Sequence, residues 1–280
     1  MNIKEIQRVV GQIKANLFKK SNSISVGTLK SQFRGSGLQF REHRVYTHGD
    51  DVRFIDWKML AKTRRPYIRT FEEDRNVEIC VIIDASPSMY LGHEGVSKFQ
   101  ASIEICCLLY LLAKESGDTV HALIVGEKVI NVPKASGEKG IATLVTTLER
   151  HGLLSDEGEV NYPENLDYNP NRDDRFKAIM AHLGKRREVV ILSDFNEFFE
   201  EAYLKRLFAR RNVHPFRVLA PIDFYDKLPF GVFAKVTGLL KASFVKASAK
   251  GGDLEKVLSG KVSELRVDKR YLEQFVKKMV

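Results

Sequence analysis

No apolar run in the 280 residues approaches the roughly 20 needed to span a bilayer. The opening stretch MNIKEIQRVVGQIKANLFKK also has no continuous apolar core followed by a small-residue cleavage site. A cytoplasmic location without a transmembrane segment is therefore expected. Cysteine is scarce: Cys80, Cys106 and Cys107 form an odd set in apolar surroundings without metal-type spacing. That excludes a disulfide framework and points to buried, reduced thiols. The phosphate-cradling patterns G-x-x-x-x-G-K-[ST] and G-x-G-x-x-G are missing, so a nucleotide would have no cradle. No G-x-S-x-G occurs, and His93, His121, His151 and His182 stand in no recognisable motif, which leaves a serine nucleophile without its base. Phosphotransfer of the D-x-D type needs a second carboxylate where position 86 is Ser. The chain reads as a non-enzyme, with metal-dependent hydrolysis as the third-ranked alternative.

What is present begins with charge. The net +9 divides unevenly: residues 1–76 hold 16 Lys and Arg against 8 Asp and Glu, residues 77–202 hold 12 against 21, and residues 203–280 hold 17 against 7. An acidic centre between basic flanks suits a cation-binding module. Binding of nucleic acid or an anionic surface through the flanks is the alternative reading. It is weaker, because solvated basic surface accounts for the same charge.

The chain turns on Val77–Tyr90, VEICVIIDASPSMY. Ile79–Ile83 is apolar without alternation, as in a central strand covered on both faces. It ends in Asp84, Ser86 and Ser88, hard oxygen ligands of the kind Mg²⁺ accepts and Mn²⁺ or Ca²⁺ could use. No Cys or His lies in the loop, which argues against zinc. Ser97–Ser116 then predicts the strongest helix, with Ser97 as N-cap, and Thr119–Val125 with Lys128–Val132 a hairpin. A helix over 140–150 and a long acidic loop over 151–173 follow. Beyond these come a helix over Asp174–Leu183, a strand over Glu188–Leu192, a helix over Glu200–Arg210 and a strand over Val213–Leu219. Asp194 follows the strand Glu188–Leu192 as Asp84 follows the run Ile79–Ile83. Strands alternating with helices give an α/β fold, a doubly wound, mostly parallel sheet flanked by helices. In such sheets ligands sit beyond the carboxyl ends of the strands, where Asp84 and Asp194 fall.

Before this core lies an N-terminal helical and irregular extension. Residues 3–19 have a helical apolar stripe. From Gly35 to Asn76 charge and aromatics mix without a period. There Asp50, Asp51, Arg53, Asp56 and Trp57, with Arg44 near them, form a second constellation. They read as a buried salt-bridge knot or as a partner-binding element. Phe54–Ala61 is expected to make a short helix burying the single Trp, and Pro66–Glu72 an edge strand beside Val77–Ile83. The domain division is 1–76 for the extension, 77–222 for the core, and 223–280 for a C-terminal hairpin with helices packed on that core.

The block R-x-Y-x-x-G-D-D-x-R-x-I-D-W at Arg44–Trp57 and the D-x-S-x-S loop at Asp84–Ser88 closely resemble those of domain-of-unknown-function family 58, bacterial proteins with a von Willebrand factor A-like domain. The resemblance covers roughly residues 30–220. It implies a Rossmann-like, von Willebrand A-like fold and a metal-ion-dependent adhesion site on Asp84, Ser86, Ser88 and Asp194. Binding would be to a protein partner that offers an acidic ligand. Because relatives are often encoded beside MoxR-type AAA+ ATPases, it also implies such a partner. Similar sites are completed by a Thr. This chain has Arg172-Asp173-Asp174-Arg175-Phe176 at that place, so Asp173 or Asp174, or else Thr143, Thr146 or Thr147, is the expected substitute.

Overall fold

The structure, a computed structural model, describes residues 37–48, 50–74, 77–162, 168, 170–184, 187–224, 232–236, 239–243 and 260–279. Its centre is β3 (Glu78–Asp84), buried from Ile79 onward. The side chains alternate across it: Val81 and Ile83 enter one apolar cluster, Cys80 and Ile82 the other. The sheet order is β12-β9-β8-β3-β6-β7, built from β6 (Thr119–Val125), β7 (Val129–Ala135), β8 (Arg187–Ser193), β9 (Val213–Leu219) and β12 (Ser263–Arg266) around β3. Neighbours run parallel except β6 and β7, which form an antiparallel hairpin. Strands covered on both faces need no polar alternation, which is why the apolar runs in the sequence are unbroken.

Helices α2 (Lys98–Ser116), α3 (Gly137–Arg150) and α6 (Tyr271–Met279) cover one face. The other is covered by α4 (Arg172–His182) and α5 (Glu201–Phe208). Ser97 caps α2 by accepting from the Gln100 N–H at 3.0 Å, and Gly117, at φ 79°, closes it in the left-handed conformation. Cys80, Cys106 and Cys107 are free and buried, and burial pushes the Cys80 thiol up to about 12.

Outside this sheet, β1 (Gly37–Val45) pairs antiparallel with β2 (Tyr67–Asp74), and α1 (Trp57–Thr63) lies between them in sequence. The small hairpin β4 (Gly92–His93) with β5 (Val96–Ser97) leads into α2. The hairpin β10 (Val232–Val236) with β11 (Leu239–Ser243) lies in the segment read as a C-terminal hairpin with helices. Three readings need correction. Tyr67–Asp74 is a strand, but it does not flank β3, whose two edges are taken by β6 and β8. Trp57 is exposed, because α1 is a seven-residue helix that buries none of its residues. Ser263–Arg266, not foreseen as a strand, extends the sheet parallel to β9. The helix expected over residues 3–19 lies outside the described residues.

Candidate functional site at the carboxyl edge of the sheet

From β3 the chain passes through α2 to β6 on one side, while β8 lies on the other side of β3. The order therefore reverses between β3 and β8, the switch point at which α/β sheets open a crevice. Asp84 ends β3 and Asp194 follows β8, and both are completely buried. Ser193 Oγ donates to Asp84 Oδ2 at 2.5 Å and accepts from the Phe195 N–H at 2.8 Å. The Ser86 N–H donates to Asp84 Oδ1 at 2.9 Å. Burial, followed by the Asp194 carboxylate and opposed by these hydrogen bonds, pushes the Asp84 carboxyl up to about 7. Phe195 holds φ 61°, left-handed for a bulky residue. Its ring is locked between Phe198 and Phe208 at centroid distances of 6.0 and 5.6 Å, so packing enforces the turn that aims Asp194.

A residue outside the expected set completes the arrangement. Lys98 Nζ, with 0% side-chain exposure, donates to Asp194 Oδ2 at 2.6 Å and to Asp223 Oδ1 and Oδ2 at 3.0 and 3.1 Å. Asp223 lies in the 3-10 turn Pro221–Phe224 just beyond β9. Two signals in the sequence point to this pair. Lys98 stands at the first position of a helix, where a cation opposes the macrodipole, and Asp223 repeats the pattern of a carboxylate just past a strand, after Asp84 and Asp194.

The donor set fits a divalent cation only in its hydroxyl half. Ser86 Oγ and Ser88 Oγ are 3.3 Å apart, close to the spacing of adjacent ligands about a hard cation. Asp194, however, is neutralised by Lys98, and both Asp84 oxygens already accept from protein donors. The structure brings Asp84, Ser86, Ser88 and Asp194 to one crevice, gives Asp173, Asp174, Thr143 and Thr147 other bonds, and places Thr146 within α3. Asp173 accepts from the Tyr203 hydroxyl, and Asp174 joins Asn171 in capping α4. The Thr143 and Thr147 hydroxyls donate to carbonyls of α3. From the segment that stands in place of the Thr, Arg175 turns inward instead, its guanidinium carbon 5.1 Å from the Phe199 ring centre and 5.6 Å from that of Tyr168. Among the described residues no three His, Cys, Asp or Glu side chains converge as a metal site.

The second constellation is local and open to solvent, not a buried knot. Arg44 pairs with Asp50 at 2.7 Å and Arg53 with Asp51 at 2.6 Å. Thr47 donates its hydroxyl and its N–H to Asp50, which with Arg44 holds that carboxyl below its ordinary value. Asp56 caps α1 through the Lys58 and Met59 N–H groups and bonds His43 at 2.9 Å. Around these ion pairs Val52, Phe54 and Trp57 are 56%, 42% and 65% exposed.

Uncharacterised proteins of Mycobacterium bovis and Mycobacterium tuberculosis are each 30% identical to this chain over 115 residues, 41% of this chain and 36% of theirs. The match thus spans little more than a third of those relatives' length. Among solved structures, BatB of Bacteroides thetaiotaomicron is similar at 13% identity and TM-score 0.44, over 72% of this chain and 98% of that one. An aerotolerance-related membrane protein from Bacteroides fragilis is similar at 14% and 0.40, over 72% and 99%. The SpRpn10 VWA domain follows at 11% and 0.37, over 72% and 94%. The fold is α/β, a mostly parallel sheet flanked by helices. The cytoplasmic location expected from the missing apolar run is withdrawn; one of these neighbours is described as a membrane protein. Among the described residues no helix is long and apolar enough to cross a membrane, and that assigns no compartment by itself. The model of the family described as protein of unknown function DUF58 matches residues 42–240, most of the chain, and the chain belongs to that family.

Proposed function

We propose that this chain is a non-enzymatic protein-interaction module, an adaptor for an AAA+ ATPase of the MoxR type. The observation that carries this reading is the exposed apolar group Val52, Phe54 and Trp57 inside the family-specific block, held in place by the Arg44–Asp50 and Arg53–Asp51 pairs. Trp and Arg are among the side chains that most often anchor protein interfaces, Trp through its large buried area and Arg through its fixed fork of donors. The partner class comes from the family resemblance alone. The crevice adds exposed Leu91 and Tyr162 beside the Ser88 loop, with Tyr162 packed 6.1 Å from the Tyr90 ring. A non-enzymatic role is supported by the state of the oxygens: Asp84 and Asp194 are buried and bonded, and the Ser86 and Ser88 hydroxyls are within reach of each other. In the metal-dependent form of the reading, a divalent cation, Mg²⁺ before Mn²⁺ or Ca²⁺, would bridge this crevice to an acidic side chain of the partner. Only the hydroxyl pair supports that form, and the adaptor role does not require it.

Calorimetric titration of a purified MoxR-type ATPase into the wild-type chain and Trp57→Ala tests the reading. Wild type should bind, and Trp57→Ala should bind at least about 10-fold more weakly while melting at the wild-type temperature. Equal binding by the two proteins, or none by wild type, would sink the proposal.

A further inference from the structure

An ammonium buried at a helix N-terminus meets two penalties at once, loss of hydration and the positive end of the macrodipole. Lys98 accepts both, so its surroundings must return more than one favourable interaction. They do: three carboxylate oxygens lie within 3.1 Å of Nζ. Both carboxylates are fixed in turn, Asp223 Oδ2 by the Ala220 N–H at 2.7 Å and Asp194 Oδ1 by the Asn196 N–H. Asp84, Asp194 and Asp223 follow three adjacent strands, β3, β8 and β9. Negative charge concentrated in this way calls for a cation among it, and one is already present.

We propose that the Lys98 ammonium is the resident cation of this crevice, so that the native site takes no divalent ion and gains affinity for one only when the ammonium is removed. The chemistry follows from the bonds around Asp194. Its Oδ1 accepts from the Asn196 N–H at 3.0 Å and its Oδ2 from Lys98, so a metal would have to displace the ammonium or sit beside it. In a buried site of low dielectric, a dication next to an unreleased ammonium is repelled with little screening. Arg175 adds a second fixed positive charge at the same rim. It lies against Tyr168, whose hydroxyl donates to the Gly126 carbonyl, and Gly126 follows Val125, whose carbonyl accepts from the Ala85 N–H. Truncating Lys98 to Ala would leave Asp194 and Asp223 facing the vacated space with unneutralised oxygens, a donor set suited to a hard cation. This inference concerns the isolated chain and stands apart from the choice of partner, so it can fail while the adaptor reading holds.

The test is thermal unfolding of the full chain, followed by circular dichroism, with Mg²⁺ or Mn²⁺ at about 1 mM, a concentration that reaches even weak cation sites, or with EDTA. Wild type and Lys98→Arg, which keeps the charge, should melt at the same temperature in all three conditions. Lys98→Ala should melt lower in EDTA and recover several degrees in Mn²⁺, because a ligand bound only to the folded state raises its stability. If Lys98→Ala is unfolded in EDTA, recovery of helical signal with Mn²⁺ is the same result. A rise in melting temperature with either ion in wild type or Lys98→Arg would overturn the proposal, and so would indifference of Lys98→Ala to Mn²⁺.

Discussion

At the scale of single residues, Asp84 joins the sheet to its crevice, and its protonation should be visible in stability. Its folded carboxyl is raised to about 7 by burial and by Asp194, while in the unfolded chain it titrates near 3.8. Between these values the folded state binds more protons than the unfolded state. The unfolding free energy must therefore fall as pH rises through that window, by at most about 1.4 kcal/mol per pH unit. Asp84→Asn, which mimics the protonated acid, should flatten this slope. Urea denaturation at several pH values between about 4.5 and 7.5 reads it, and an unchanged slope in the variant would show that another group is responsible. The residue type and position of Asp84 were legible from the strand it ends. Its environment was not, because burial and the approach of Asp194 come from β8, more than a hundred residues later.

Among elements, the contact between α2 and α3 turns on a single glycine. A Cβ at Gly140 would stand 2.1 Å from Tyr110 Cδ1, and Tyr110 is fully buried, so its ring has no room to withdraw. Gly140→Ala should force the helices apart and lower stability by about 1–3 kcal/mol or more, measured by thermal unfolding. A variant as stable as wild type would show that the two helices can slide. At this scale the sequence was most informative where a pattern is local. The Ser97 cap and the unbroken apolar run before Asp84 each follow from neighbours in the chain. It misled where an element's partner is distant. Tyr67–Asp74 has strand composition, yet which strand it pairs with depends on the edges other segments leave open. Trp57 looked like core because it is aromatic, although the helix that carries it offers no buried face.

Across the whole molecule, the C-terminal segment closes one edge of the sheet. β12 pairs with β9, Phe275 meets Phe216 at a centroid distance of 4.9 Å, and the Tyr271 hydroxyl donates to Glu104 of α2 at 2.5 Å. Ending the chain before Gly260 would uncover the β9 edge and the apolar surface that Leu265, Leu272 and Phe275 now bury. The truncated protein should aggregate or lose its cooperative unfolding transition, as seen by size-exclusion chromatography and circular dichroism. A monomer that melts like the full chain would show the segment to be dispensable. Four residues, Ser263–Arg266, are too few to announce a strand by alternation, and only the exposed flank of β9 makes them one. By itself the sequence determined the parallel α/β class, the central strand and the two carboxylates at the switch point, because apolar runs, caps and strand-end oxygens are properties of short stretches. Only the tertiary structure decided what neutralises Asp194. Asp194 and Asp223 lie 96 and 125 residues beyond Lys98 along the chain, and the packing of α2 against the ends of β8 and β9 is what brings one buried ammonium to two acids.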